Sequence, residues 1–328
     1  RRRCCPAGFV PAAATAHNLA LEHELFRICA ALAEAPVPVI VMKGVPLIRR
    51  RGLPFHHRAL ADNDLLVRRT DVDRAERVLR DLGYRCAADR PLEVGRAIGP
   101  EHRLSRTVGG DKLQVELHWD AFHHPFSGIP EELVWSHVEA QEMGGNRFDV
   151  FDRSFTLIHT AAHFAWHSLG QPRLLETLGR AWDSWRDSLD VSGLAALAEQ
   201  TGTRHALDYA LWAAGEHGFA HAIPDLGSKR ARALRKILPA HKLTEPRAQP
   251  DYEMMALALL LAPAPAAIRH AWRILLPPRA QMGLITGRTE PFRVAAGYAT
   301  RPARAALRWL RVRSSTSPMQ HRGPWRSG

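Results

Sequence analysis

One stretch of strict alternation, Lys112 to Trp119, constrains the fold of this chain more than any other feature. Every second residue is apolar, so in an extended chain the apolar side chains cover one face and the polar ones cover the other. Glu116 and His118 belong to the polar face. The pattern predicts a β-strand in a sheet that has one face against a hydrophobic core.

Two shorter apolar runs precede this strand. A β-branched run at residues 37–42 is bounded by prolines and by Gly44, which is typical of a strand. A second strand is predicted at residues 64–68. Around them, apolar residues at spacings of three and four indicate helices. The predicted helices cover residues 15–33, 46–51 and 71–82.

Beyond Phe151 the pattern changes to helices, which are predicted at 154–169, 174–185, 191–200 and 204–217. The predicted fold class is therefore α+β: a small mixed β-sheet core with flanking helices, followed by a mostly α-helical C-terminal region. The predicted divisions are an N-terminal tail and helix at 1–35, the core at 36–150, a helical domain at 151–261 and a basic Pro/Arg-rich segment at 262–328.

Composition limits the environment and the partners. The apolar content of 46% suits a packed core, and the four cysteines form no C-x-x-C pair, so a reducing cytoplasm is expected. The most apolar later run, residues 254–268, is shorter than the roughly 20 residues that span a bilayer, so no transmembrane segment is predicted. A net charge of +12 attracts nucleotides, nucleic acid or anionic lipid without choosing among them.

The first candidate for chemistry is Asp62-Asn63-Asp64, which leads into the second predicted strand. A period of two aims both carboxylates to the same side, where they repel each other unless a cation neutralises them. Oxygen-rich sites of this kind favour Mg²⁺. Alone, an Asp-x-Asp also suits a turn. Glu116 on a separate strand provides a third carboxylate.

Four sequence elements in order resemble the polymerase-β type nucleotidyltransferases, and more narrowly a bacterial group of uncharacterised nucleotidyltransferases. The resemblance is strong over about residues 30–125 and looser in the helical half, around His159, His163 and Asp183. The matching elements are Val41-Met42-Lys43-Gly44, Arg58 to Val67, Leu82-Gly83-Tyr84 and Glu116-Leu117-His118-Trp119.

The resemblance implies that residues 36–150 form a nucleotidyltransferase core. The implied reaction moves a nucleoside monophosphate from an NTP to an acceptor and releases pyrophosphate, with Mg²⁺ or Mn²⁺ as the cofactor. Asp62, Asp64 and Glu116 would be the catalytic carboxylates and the metal ligands. The residues that would contact the NTP are Lys43, Gly44 and Arg58.

Two positions depart from the family pattern. Val45 follows Gly44 where the wider superfamily often has a serine that touches phosphate. Nucleotide binding is therefore expected to depend on backbone N–H groups and cations. Asn63 replaces an aliphatic residue between the two aspartates, but alternation directs it to the opposite face.

Several of these residues also have structural interpretations. Lys43 could be a surface lysine, Glu116 a solvated strand residue, and Arg58 the partner of Asp62 in a structural ion pair. For His118 we expect packing or hydrogen bonding, and for Trp166, Trp182 and Trp185 we expect core positions. A further set of histidines, at helical spacing of four, indicates a polar stripe facing the active-site cleft rather than a zinc site. These histidines are His159, His163 and His167.

The acceptor is left open: a small molecule, a peptide, a protein or a tRNA would each serve, and binding of nucleic acid is possible. The alternative function is a noncatalytic nucleotide- or RNA-binding protein that retains the fold. Three clustered carboxylates in a basic protein argue against it. A third hypothesis is a membrane-associated adaptor that uses the basic segment at 303–313, although such a helix more often docks on its own domain.

Overall fold

The sheet has six strands in the order β3-β4-β2-β1-β6-β5. In the computed structural model, the residues described are 11–50, 59–87, 91–244 and 252–286, with positions 295, 297, 298 and 300 beyond them. The strands are β1 (Val39–Val41), β2 (Asn63–Val67), β3 (Glu101–Val108), β4 (Asp111–His118), β5 (Val138–Met143) and β6 (Asn146–Phe151).

Strand directions make this a mixed sheet. β2 pairs with β4 in parallel, as β1 does with β6, whereas the other neighbouring strands are antiparallel. A parallel neighbour requires a crossover connection. Between β2 and β4 the described residues accordingly include a short 3-10 helix, two α-helices and the edge strand β3.

Helices cover both faces of the sheet and continue beyond it. Before β5 they are α1 (Pro11–Glu34), α2 (Val45–Arg50), α3 (Val72–Asp81), α4 (Leu92–Ile98) and α5 (Glu131–Trp135). After β6 they are α6 (Arg153–Trp166), α7 (Pro172–Trp185), α8 (Val191–Gln200), α9 (Arg204–Glu216), α10 (Lys229–Ile237), α11 (Tyr252–Leu259), α12 (Ala264–Leu275) and α13 (Arg279–Thr286).

Alternation along the strands divides the buried side chains between two apolar clusters. Leu65 of β2 and Leu117 of β4 pack with α1 and α3 on one face of the sheet. Leu66, one residue further along β2, faces the other way and packs with α6 and the helices after it. Asp64, Glu116 and His118 therefore belong to the face that the helical half covers.

The α+β class and the helical C-terminal region are confirmed, and β4 coincides with the alternating stretch that predicted it. The prediction missed β3, β5 and β6. β3 and β5 are the two edge strands of the sheet, and both are rich in charged residues. Edge strands tolerate charge because one side is unpaired and solvated, so their alternation is weak.

The division into domains stays a prediction. The change from strands to helices occurs between Phe151 and Arg153, but apolar residues of the sheet and of the later helices share one cluster. The basic segment 303–313 and Arg58 lie outside the described residues. Within the described residues, no helix combines the length and the apolar character needed to cross a bilayer.

Glu24 ties the N-terminal helix to the sheet. Its buried carboxylate accepts hydrogen bonds from Tyr84 Oη at 2.9 Å, from Arg27 at 2.5 Å and from Arg106 at 3.2 Å. Burial alone would raise the pKa of Glu24, but these partners outweigh it and hold the pKa below its ordinary value. Tyr84 belongs to the Leu-Gly-Tyr element of the family pattern, so this element has a structural role here.

We expect Glu24→Gln to lower the free energy of unfolding by about 1–3 kcal/mol, because it removes the charge from buried hydrogen bonds. Since the folded pKa is depressed, the contribution is present above pH 4.5 and is lost as the pH falls through the folded pKa. Urea denaturation at pH 7 and pH 3 measures both effects, with the exposed Glu34→Gln as control. Equal stability of the two variants at pH 7 would show that the buried Glu24 carboxylate does not stabilise the fold.

Candidate active site

The three predicted carboxylates lie where β2 and β4 run in parallel. Asp64 is the register partner of Glu116 across this pair, and both side chains are buried. Asp62 lies immediately before β2, is partly buried, and interacts electrostatically with both. The pairing register thus brings together residues more than fifty positions apart in the sequence.

Asn63 and helix α1 hold the segment that leads into β2. Asn63 Nδ2 donates to the Leu21 carbonyl at 2.9 Å, and the backbone N–H of Leu60 donates to Asn18 Oδ1 at 2.9 Å. Asn63 therefore points to α1, on the face opposite Asp64, as the alternation predicts. Asn63, the residue that departs from the family pattern, thus connects β2 to α1 and lies outside the carboxylate cluster.

Lys43 reaches the cluster from the turn after β1. The backbone N–H of Met42 donates to the Asp64 carbonyl at 3.1 Å, so the residue that follows is next to β2. Lys43 Nζ lies 2.9 Å from Asp64 Oδ1, and the Lys43 side chain is 25% exposed. The structure thus places Lys43 in an ion pair with a site carboxylate.

Two further basic side chains contact the carboxylates. His118 Nε2 lies 3.2 Å from Asp64 Oδ1 and 3.7 Å from Glu116 Oε2, so it hydrogen-bonds within the site. Arg103 Nε donates to Glu116 Oε1 at 2.8 Å from the register-matched position on β3. Sequence reasoning missed Arg103 because it missed β3.

The carboxylates differ in their electrostatic surroundings. Burial, with the nearby charges of Asp64 and Glu116, raises the pKa of Asp62 to about 7. Burial would also raise the pKa of Asp64, but Lys43 and His118 outweigh it and depress the pKa. Hence Asp62 is the carboxylate whose negative charge is least compensated within the cluster.

Acidic neighbours also control His118. Its burial would lower the pKa, but the hydrogen bonds to Asp64 and Glu116 raise the pKa of His118 to about 9. Glu101, a fourth carboxylate that sequence reasoning missed, lies 4.0 Å from His118 Nδ1 and 3.2 Å from His123 Nε2. His118 therefore lies between acidic groups on both sides, with Asp64 and Glu116 near Nε2 and Glu101 near Nδ1.

The donor set suits a divalent cation. Ligand atoms of Asp64, Glu116 and His118 lie within 4.8 Å of one another, and Asp62 adds a carboxylate beside them. Carboxylate oxygens are the ligands that Mg²⁺ and Mn²⁺ prefer. The raised pKa of Asp62 indicates negative charge that an added cation would neutralise. Glu101, His118 and His123 form a second group of similar dimensions.

Gly44 forms the turn between β1 and α2 with φ at +82°, a conformation that L side chains rarely adopt. An added Cβ would lie 3.6 Å from the Asp62 carbonyl, which is an ordinary contact. The backbone conformation, more than lack of space, therefore requires glycine. The helix that follows, α2, is only 6 residues long.

The histidine stripe of α6 lies on the side of the site formed by the helical half. His163 Nε2 is 3.4 Å from Lys43 Nζ and 3.1 Å from His167 Nε2. Burial is the main cause that lowers the pKa of His159 to about 3 and the pKa of His167 to about 4, and the nearby charge of Lys43 adds to it. His159 and His167 are therefore neutral at pH 7.

The predicted core positions of the tryptophans are observed for two of the three. Trp182 and Trp185 are buried in the helical half. Trp166 is only partly buried, and its ring stacks on His123 with centroids 3.9 Å apart. Sequence periodicity could not separate these cases, because His123 comes from the chain after β4.

Together, the mixed sheet and the carboxylate cluster at its centre define an α+β core of the nucleotidyltransferase type. The chain belongs to the family of uncharacterised nucleotidyltransferases, whose family profile matches residues 11–218. The match extends from α1 to the end of α9 and so includes the sheet and the α6 histidines. No curated protein and no solved structure matches the chain.

We expect Gly44→Ala to lower the free energy of unfolding by about 1–2 kcal/mol, because alanine in a left-handed conformation is strained. Gly99→Ala is the matched control, since Gly99 has extended backbone and open space around its Cα. Chemical denaturation compares the two variants. If Gly44→Ala were as stable as Gly99→Ala, the turn would not require glycine.

Proposed function

We propose that this protein is a metal-dependent nucleotidyltransferase that moves a nucleoside monophosphate from an NTP to an acceptor and releases pyrophosphate. The observation that supports this most directly is the parallel register of β2 and β4, which sets Asp64 opposite Glu116 beside Asp62. Membership of a nucleotidyltransferase family supports the general reaction. The acceptor supplies a hydroxyl or phosphate oxygen on a small molecule, a peptide, a protein or a tRNA.

Asp62, Asp64 and Glu116 would hold the divalent cation, Mg²⁺ or Mn²⁺. When bound, such an ion neutralises phosphate charge and lowers the pKa of an acceptor hydroxyl. Lys43 and His118 both contact Oδ1 of Asp64. These basic side chains thus hold Asp64 in place within the carboxylate cluster.

The other residues orient the carboxylates and the substrate. Arg103 holds Glu116 through Oε1, so it fixes the orientation of that carboxylate. The Lys43 ammonium is partly exposed and lies at the cluster, where it can attract the triphosphate. Gly44 is proposed to contact the phosphates through its backbone at the same turn, as the family resemblance implies. Arg58 is proposed as a further phosphate contact on sequence grounds alone.

The direct test uses each of the four α-labelled NTPs with Mg²⁺ or Mn²⁺ in host lysate. We expect transfer of label to an acceptor, and a decrease of about 100-fold or more in Asp64→Asn and Glu116→Gln. Even substitution of a residue that only hydrogen-bonds to a metal ligand lowers activity or metal affinity about 10–100-fold. The matched control is Asp111→Asn, an exposed acid at the start of β4. It should keep the wild-type rate.

Two outcomes would contradict this proposal. Transfer that is unchanged in Asp64→Asn would place the chemistry elsewhere. Absence of transfer, combined with NTP binding in calorimetry, would favour the noncatalytic nucleotide-binding alternative.

Metal binding gives a separate prediction that needs no acceptor. We expect Mn²⁺ to bind the wild type in a titration followed by electron paramagnetic resonance, and to bind the Asp62→Asn/Asp64→Asn double variant at least tenfold more weakly. Removing two carboxylates takes away most of the oxygen ligands and the charge that attracts the ion. Asp111→Asn again serves as the control. Equal affinity in all three proteins would rule out this cluster as the metal site.

A further inference from the structure

The Lys43 ammonium contacts one residue of the sheet and one residue of the helical half. On the sheet side, its Nζ lies 2.9 Å from Asp64 Oδ1. On the helical side, it lies 3.4 Å from Nε2 of His163, which is 120 positions away in the sequence. This contact links a predicted site residue directly to α6.

The geometry determines which atom accepts this hydrogen bond. A lysine ammonium can only donate, so Nε2 of His163 must present its lone pair and the ring proton must be on Nδ1. His167 Nε2, one helical turn further on, lies 3.1 Å from the same nitrogen. Because Nε2 has one lone pair, His167 can donate to it only in competition with Lys43.

Asp64 alone is a poor anchor for this lysine. The lysine side chain is flexible and has many rotamers, and the Lys43 side chain is 25% exposed. A cation at Asp64 would repel an ammonium that is 2.9 Å from the same carboxylate. His163 is uncharged and belongs to another element, so it can keep Lys43 beside the cluster when Asp64 binds a different cation.

We propose that His163 is a positioning residue that holds the Lys43 ammonium at the edge of the carboxylate cluster, where the ammonium binds the triphosphate of the NTP. This inference rests on the proposed nucleotidyltransferase function and assigns part of its substrate binding to the helical half. His163 acts through Lys43 and does not itself contact the substrate.

The test is a double-mutant cycle with Lys43→Met, His163→Leu and the combined variant. Calorimetry measures the Kd of ATP, CTP, GTP and UTP, each with Mg²⁺ and without acceptor, so the result does not depend on turnover. We expect His163→Leu to weaken binding of the preferred NTP about tenfold, the effect of losing one hydrogen bond to a charged group. In the Lys43→Met background, His163→Leu should have no further effect.

Conservative replacement distinguishes positioning from general packing. In His163→Gln the side-chain amide oxygen can occupy the place of Nε2, so we expect binding to return to within about threefold of the wild type. His217→Leu is the matched control, because His217 is a partly buried histidine that contacts the Ala240 carbonyl in the helical half. It should leave the Kd unchanged. Should His163→Leu fail to fold by circular dichroism, His163→Phe replaces it in the same cycle.

Each outcome decides a different point. Unchanged NTP binding in His163→Leu, or a loss that adds fully to that of Lys43→Met, would overturn the positioning role and leave the proposed function intact. If the wild type binds none of the four NTPs, the proposed function fails, and the positioning role fails with it.

Discussion

The parallel pairing of β2 with β4 is the constraint on which the whole site depends. Register places Asp64 directly opposite Glu116, and a shift of one residue would turn Glu116 toward the apolar cluster under α1. Buried Leu117, the neighbour of Glu116 on β4, makes such a shift costly, because it would then lie on the acidic face. The hydrophobic core beneath the sheet therefore fixes the geometry of the carboxylates above it.

Clustered buried carboxylates are stable only when opposite charge comes close. Here three different elements supply it: the turn after β1 provides Lys43, β4 provides His118, and edge strand β3 provides Arg103. Asp62 is left with the weakest compensation, as its raised pKa shows. The protein thus neutralises most of the negative charge itself and leaves a remainder at one carboxylate.

The sequence predicted those features that follow from local patterns. Strict alternation identified β4 and placed Asn63 on the face opposite Asp64. It could not predict β3, because an edge strand with charged residues on both faces has no clear period. Arg103 and Glu101 were missed with that strand. The helical spacing of the histidines predicted that they face the cleft. It could not predict the contact of His163 with Lys43, because that contact depends on how α6 docks on the sheet.

Sequence distance within the site has a consequence for the order in which the site is completed during synthesis. Lys43 and His163 are 120 positions apart, which corresponds to about 6–24 s of translation at about 5–20 residues per second. The carboxylates of β2 and β4 are all made before α6 exists. A nascent chain therefore contains the carboxylate cluster before it contains the histidine stripe of α6. The first half of the protein has to tolerate the negative charge of these carboxylates until the second half has been synthesised.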